Sequence, residues 1–330
     1  MLTDIAIWRA QQNLEPKLKD ELSRLDEKGL FEAFGDDVSF GTGGIRGIMG
    51  VGTNRLNIYT IRKASLGFAN YIKENLTTRP YSLHNVVVAY DTRNNSRLFA
   101  EETARVLASQ NIHVWLFEQF RPTPELSFAV RYLRADGGIV ITASHNPPEY
   151  NGYKVYDENG CQLVPHKADK VGAAIEKIKD IFALKVDSLQ DYLARGAITT
   201  LEKYFDDKYL TAVRFVSCQK VDQDELKIVY TPLHGTGSAF GAQLLRENGY
   251  NVYSVDAQMV PDGNFSTLKS PNPEDPHAFA LAVELGHKVG AQLLLATDPD
   301  ADRVGSGILI GDKYHFLNGN EMAAIMFDYL

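Results

Sequence analysis

Val86-Val87-Val88-Ala89-Tyr90-Asp91-Thr92-Arg93-Asn94-Asn95-Ser96 joins a strand signal to a turn signal and opens an α/β unit. Its first five residues are a largely β-branched run of strand length, and residues 91–96 are a polar turn. The segment that follows puts Phe99, Thr103, Val106 and Leu107 on one helical face. A second strand at 112–117, the loop Arg121-Pro122-Thr123-Pro124, another helical segment and the strand Gly138-Ile139-Val140-Ile141-Thr142 complete the unit. The same order recurs from residue 226: a strand at 226–230, a Gly-rich turn, a helix through Leu244 and Leu245, a strand at 251–255, a loop at 261–276, a helix, and the strand Leu293-Leu294-Leu295-Ala296-Thr297. Strands alternating with helices predict parallel sheets covered on both faces.

The expected fold is therefore α/β, with two similar three-layer α/β/α domains and mainly parallel sheets, at residues 1–195 and 196–312. Residues 304–317 read as a hairpin turning at Gly311-Asp312, and Asn320 opens an amphipathic helix. Residues 313–330 then read as the beginning of a third domain, so the chain is expected to be an incomplete form. Residues 1–33 scatter acidic groups among apolar ones, as a surface helix or two would and a secretory signal would not.

Length and composition bound the function. Three hundred and thirty residues with 44% hydrophobic content suffice for about two domain cores. The 34 basic against 42 acidic residues give a formal charge of -8, the opposite of a nucleic-acid footprint. Cys161 and Cys218 have no metal or redox spacing, and the reading is a cytoplasmic protein with neither disulfide nor zinc. No apolar run reaches the roughly 18 residues of a membrane span.

Ligands of open α/β sheets bind outside the carboxyl ends of the strands, and both last strands end in a threonine followed by dense polar chemistry. After Thr297 come Asp298, Asp300 and Asp302; in an extended segment these alternate residues project to one side, where a hard divalent cation relieves their repulsion. A solvated acidic loop is the competing reading, while Arg303 beside the cluster offers a fork for phosphate. After Thr142 come Ala143 and Ser144, the latter on a tight turn without the G-x-S-x-G flanks of an acyl nucleophile. That leaves a turn serine or one that carries phosphate.

His145 is a candidate proton shuttle or a structural hydrogen-bonding residue. Lys154 is expected to be folded back toward Ser144 by a hairpin turn at Asn151-Gly152. Gly41-Thr42-Gly43-Gly44-Ile45-Arg46-Gly47 allows close approach to an anion, with Arg46 supplying charge, but lacks the lysine of a P-loop. His234-Gly235-Thr236-Gly237 imitates a dinucleotide fingerprint with its third glycine one residue late, and reads as a tight strand-to-helix turn.

The segments 142–154 and 298–303 resemble the phosphoserine and metal loops of the α-D-phosphohexomutases, the phosphoglucomutase/phosphomannomutase superfamily. Residues 40–47 and 230–237 resemble further segments of that family in the expected order, and the flavour is closest to the bacterial phosphoglucomutases. The resemblance implies a Mg²⁺-dependent mutase interconverting hexose 1-phosphate and hexose 6-phosphate, most simply of glucose, with glucose 1,6-bisphosphate as intermediate and activator. Ser144 would carry the phosphate; Asp298, Asp300, Asp302 and a Ser144 phosphate oxygen would hold the metal. Arg46, Lys154 and Arg303 would stabilise the transferring group, with His145 and Lys154 as proton-transfer candidates. The competing readings are a haloacid-dehalogenase-like phosphotransferase with Asp298 as nucleophile, and a non-catalytic module that binds sugar bisphosphate.

Overall fold

The computed structural model describes residues 1–77, 83–216 and 226–330; Cys218 lies outside the described residues. Three short helices, α1 (Leu2–Ala10), α2 (Pro16–Arg24) and α3 (Glu27–Phe34), open the chain. There follow β1 (Ile45–Ile48), α4 (Ile58–Asn75), β2 (Asn85–Tyr90), α5 (Ser96–Ser109), β3 (His113–Phe117), α6 (Thr123–Tyr132), β4 (Gly137–Ile141), β5 (Tyr150–Tyr156), α7 (Pro165–Glu176), α8 (Leu189–Ala194), β6 (Ile198–Leu201) and α9 (Lys203–Arg214). The second half runs β7 (Lys227–Thr231), α10 (Gly241–Glu247), β8 (Asn251–Ser254), α11 (Asp256–Met259), α12 (Ala280–Val289), β9 (Leu293–Thr297), β10 (Val304–Ile310), β11 (Lys313–Leu317) and α13 (Gly319–Tyr329).

The strands form two sheets, ordered β1-β5-β4-β2-β3-β6 and β11-β10-β9-β7-β8. Each has a parallel centre, β4-β2-β3-β6 and β9-β7-β8, with antiparallel strands added at one side. Side-chain alternation explains the layers. Val86 and Val88 of β2 face a core built with Ile61 and Phe68 of α4 and Leu107 of α5. Val87 and Ala89 face the opposite way, against Leu126 and Val130 of α6 and Phe205 of α9. In the second sheet Val229 packs with Ala278 and Ala282, while Ile228 and Tyr230 pack with Ala242 of α10. Both sheets are thus covered on both faces, as the α/β reading expects.

Four features differ from expectation. The strand β6 hydrogen-bonds β3 of the first sheet, so the first unit extends past residue 195. The hairpin β10–β11, with its two-residue turn at Gly311-Asp312, belongs wholly to the second sheet, so that unit runs past 312. The opening helices are more than a surface feature: Ile5, Trp8, Leu14, Leu22 and Phe34 bury a satellite core against Val51 and Tyr59. Finally, Asn151-Gly152 lies inside β5 rather than forming a turn. The chain reverses earlier, between Ile141 and Tyr150, because residues 150–156 pair continuously with β4 and β1.

Helix starts follow local chemistry. Asn57 caps α4 with Thr60 in a reciprocal capping box, and prolines pre-set the first turns of α6 and α7. Ser188 with Asp191 at α8 and Asn318 with Glu321 at α13 form further such boxes, and no residue of α13 is buried. Among the described residues no helix is long and apolar enough to cross a membrane.

Candidate functional site

The carboxyl ends of β4 and β9 face each other across the two units. Ser144 leaves β4 with φ of +53°, a left-handed conformation that its backbone N–H stabilises by donating to Thr142 Oγ1 at 2.8 Å. Its Oγ donates to Asp298 Oδ2 at 2.6 Å, joining residues 154 positions apart in the chain. Ser144 is 1% exposed, and Asp298 and Asp300 are fully buried.

The acidic cluster converges, though by a different route from the extended alternation expected. Residues 298–303 form a tight turn: Ala301 has φ of +53° and its N–H donates to the Asp298 carbonyl at 2.9 Å. The Arg303 N–H donates to Asp298 Oδ1 at 3.1 Å, closing the loop. The result is one carboxylate oxygen from each of Asp298, Asp300 and Asp302 within 4.8 Å of the others.

Lys154, on β5 opposite Val140, reaches this cluster from the first unit. Its Nζ donates to Asp300 Oδ2 at 2.7 Å and to Asp302 Oδ2 at 3.2 Å. Burial disfavours its charge, but Asp300 and Asp302 outweigh that and hold the ammonium above its ordinary value. Asp300 likewise resists burial through Lys154 and lies below the usual carboxylate range. Burial, reinforced by Asp300 and Asp302, pushes Asp298 well above that range. One ammonium therefore does not compensate three carboxylates, and among the described residues Asp300 Oδ1 is buried without a hydrogen-bond partner. An all-oxygen set with surplus negative charge and an unsatisfied inner oxygen fits a hard divalent cation.

Other expected residues gather around the serine. Arg46 of β1 is exposed, and its Nη1 donates to Asn146 Oδ1 at 3.1 Å, placing its charge at the mouth of the Ser144 turn. His145 Nδ1 lies 3.4 Å from Ser144 Oγ. Burial, then the charges of Arg303 and Arg46, push its imidazole below its ordinary pKa and favour the neutral ring. Arg303 is exposed beside the acidic turn, close enough for its charge to act on His145. The turn at 234–237 has a supporting role: Thr236 N–H donates to the Pro299 carbonyl at 2.8 Å. A Cβ on Gly235 would meet Pro299 Cα at 2.4 Å, so only glycine permits this approach.

Two functional candidates escape sequence reasoning. Thr123, at the start of α6, holds Asp300 twice, by N–H to its carbonyl at 2.9 Å and by Oγ1 to Oδ2 at 2.9 Å. Arg93, in the turn after β2, directs its guanidinium at the backbone of the Ser144 turn. Neither has a local motif; the polar turn after β2 and the Pro-flanked start of α6 were the only signals.

Two descriptions of one family match the chain: "Phosphoglucomutase/phosphomannomutase, alpha/beta/alpha domain I" over residues 37–181, and the corresponding domain II over 207–308. The phosphoglucomutase of Staphylococcus saprophyticus is 37% identical over 97% of this chain and 57% of its own length. That of Staphylococcus aureus strain MRSA252 is 39% identical over 99% of this chain and 58% of its own. The chain thus spans just over half the length of these curated relatives. Among solved structures, a Thermus thermophilus protein described as a phosphomannomutase superposes with a TM-score of 0.73 at 26% identity, covering 89% of this chain and 62% of that one. A phosphoglucomutase/phosphomannomutase family protein of Burkholderia thailandensis, at 22% identity and a TM-score of 0.65 over 84% of this chain and 55% of its own, shares the fold.

Proposed function

The chain belongs to the phosphoglucomutase/phosphomannomutase family, and from that premise we propose that it carries the phosphoryl-transfer centre of a Mg²⁺-dependent phosphosugar mutase acting between hexose 1-phosphate and hexose 6-phosphate, with glucose as the sugar. The observation that carries this reading is the 2.6 Å hydrogen bond from Ser144 Oγ to Asp298, which joins a candidate phosphate carrier to a candidate metal site. The first unit, proposed as residues 1–195 with β6 added, supplies Ser144, His145, Lys154 and Arg46; the second supplies Asp298, Asp300, Asp302 and Arg303. We take α13 as the first element of a third unit, a reading supported by its exposed Ile325, Met326 and Phe327. A cytoplasmic location belongs to the same proposal, supported by two cysteines without metal or redox spacing.

In this reading Ser144 bears a phosphate, and a sugar hydroxyl attacks its phosphorus. The new O–P bond forms as the Ser144 Oγ–P bond breaks, giving glucose 1,6-bisphosphate. After the bisphosphate turns round, Ser144 Oγ takes back the other phosphate. Asp298, Asp300 and Asp302 would hold Mg²⁺, which when bound neutralises charge on the transferring group. Lys154 and the exposed Arg46 and Arg303 supply the remaining positive charge, since this chemistry depends on positioning and charge neutralisation. Neutral His145, whose Nδ1 lies 3.4 Å from Ser144 Oγ, can take the proton that the attacking hydroxyl loses and return it to the oxygen that leaves phosphorus, so that each transfer balances. The ammonium of Lys154 favours a charge role over a base role while it is held by Asp300 and Asp302.

The test is incubation with glucose 1,6-bisphosphate and Mg²⁺ followed by peptide mass mapping. One phosphate on the peptide containing Ser144, absent from Ser144→Ala, is the expected result. Phosphate on Asp298 would instead support a haloacid-dehalogenase-like transferase, and tight bisphosphate binding without transfer a purely binding module.

A further inference from the structure

We propose that Arg93 is a positioning residue that aims the oxygen of Ser144, and that Phe265 of the second unit locks it in that role. The inference rests on the phosphoserine reading above and deepens it.

A non-glycine residue at φ of +53°, as Ser144 is, is strained, so this conformation needs external support. Arg93 supplies it. Its Nη2 donates to the carbonyl of Ser144 at 2.5 Å and to that of Asn146, and its Nη1 to those of Pro147 at 2.9 Å and Tyr150 at 3.1 Å. Four carbonyls of one turn converge on one guanidinium. Only a planar, multiply donating fork satisfies this arrangement; a lysine has three donors on a single point and cannot span it. Because the Ser144 carbonyl is among the four, the contact fixes the backbone torsion next to the strained φ and with it the direction of Cβ–Oγ.

The guanidinium is itself held. Asp91, fully buried beside it, has Oδ2 at 3.4 Å from Nε, and Asp91 Oδ1 accepts from the Arg93 N–H at 2.9 Å and from Ser96 Oγ at 2.6 Å. The Phe265 ring lies over the guanidinium, 4.9 Å from Cζ, and is 1% exposed. Beside it, Asn94 donates to Asn264 Oδ1 at 2.8 Å, and a Cβ on Gly263 would meet Asn94 N at 2.5 Å. The second unit therefore reaches Ser144 twice, directly through Asp298 and indirectly through Phe265 and Arg93.

The experiment follows phosphorylation of Ser144 by glucose 1,6-bisphosphate, and Mn²⁺ affinity by electron paramagnetic resonance, in wild type, Arg93→Lys, Arg93→Ala and Phe265→Leu. Arg93→Lys and Arg93→Ala should lose about a hundredfold in labelling rate, the size expected of a misplaced nucleophile. Their Mn²⁺ affinity should stay within about twofold of wild type, a split that general structural damage would not give. Added guanidinium should restore part of the Arg93→Ala rate and leave Arg93→Lys unchanged. Phe265→Leu, a milder change, should slow labelling several-fold, and it decides the matter should the Arg93 variants not fold. Wild-type labelling rates in a folded Arg93→Lys, or in Phe265→Leu where the Arg93 variants do not fold, would overturn the proposal. Failure of wild type itself to take phosphate at Ser144 would overturn the phosphoserine reading and this inference with it.

Discussion

The two turns that meet at the site solve opposite problems. In the Ser144 turn the carbonyls of Ser144, Asn146, Pro147 and Tyr150 are satisfied by one buried guanidinium, brought by Arg93 from the turn after β2. The turn at 298–303 is crowded with carboxylates that Lys154 compensates only in part, and among the described residues Asp300 Oδ1 is left buried without a partner. One turn has its backbone acceptors satisfied as folded; the other keeps a charge that a cation would relieve. A reacting group needs a fixed direction, whereas a cation site needs retained charge, and the roles proposed for the two loops match that difference.

Removing charge from the incomplete turn should have the largest effect. Asp300→Asn is expected to weaken divalent-ion binding about a hundredfold by calorimetry, since it removes an inner ligand and an orienting charge; near-wild-type affinity would mean the trio is a solvated acidic turn. Next comes Gly235→Ala, which alters no carboxylate but drives a methyl into Pro299. It should weaken the same affinity about tenfold and cost roughly 1–3 kcal/mol in denaturant unfolding. Unchanged metal binding in that variant would show that the 234–237 turn does not support the acidic one.

Lys154→Met sharpens the comparison further. Breaking a largely buried ion pair should destabilise the metal-free protein by on the order of 2–3 kcal/mol, after allowance for its residual exposure. Added Mg²⁺ should then raise the melting temperature more than it does in wild type, because no ammonium competes for Asp300 and Asp302. An equal rise in both proteins would contradict the role given to Lys154.

A last expected effect, on pH-dependent stability rather than on metal binding, concerns Glu125, two residues after Thr123 in α6. Burial, then the nearby Asp206 carboxylate, push Glu125 up to about 8 although Arg121 opposes this. The folded protein then keeps this proton where the unfolded chain has lost it, so stability falls as pH rises from about 4.5 to about 8, by at most about 1.4 kcal/mol per unit. Glu125→Gln should melt like wild type near pH 5 and gain relative stability toward pH 8. Parallel pH profiles would remove Glu125 from this account.

Much of the fold was legible because β-branched runs between polar turns carry strand positions. The strands β2, β3, β4, β7 and β9 fall within a residue or two of their expected places. The acidic trio and Ser144 were legible because their chemistry is dense and local. What failed depended on distant partners. Nothing in Ile198–Leu201 says that its neighbour is β3, and Asn151-Gly152 reads as a turn until its pairing with both β4 and β1 is seen. The acidic residues share a site through a turn at Ala301, which alternation cannot foretell. Arg93 and Thr123 were invisible because they act on backbone carbonyls 51 to 57 positions away, or on Asp300 at 177.

The central claim is that the two turns form one centre, with phosphate on Ser144 completing the cation site of Asp298, Asp300 and Asp302. The most direct measurement is Mn²⁺ affinity before and after treatment with glucose 1,6-bisphosphate, in wild type and in Ser144→Ala. The account predicts that affinity tightens about tenfold on phosphorylation of wild type, as carboxylates joined by phosphate oxygens should bind a divalent cation, and that Ser144→Ala shows no such gain. Equal affinity in phosphorylated and unphosphorylated wild type would contradict it.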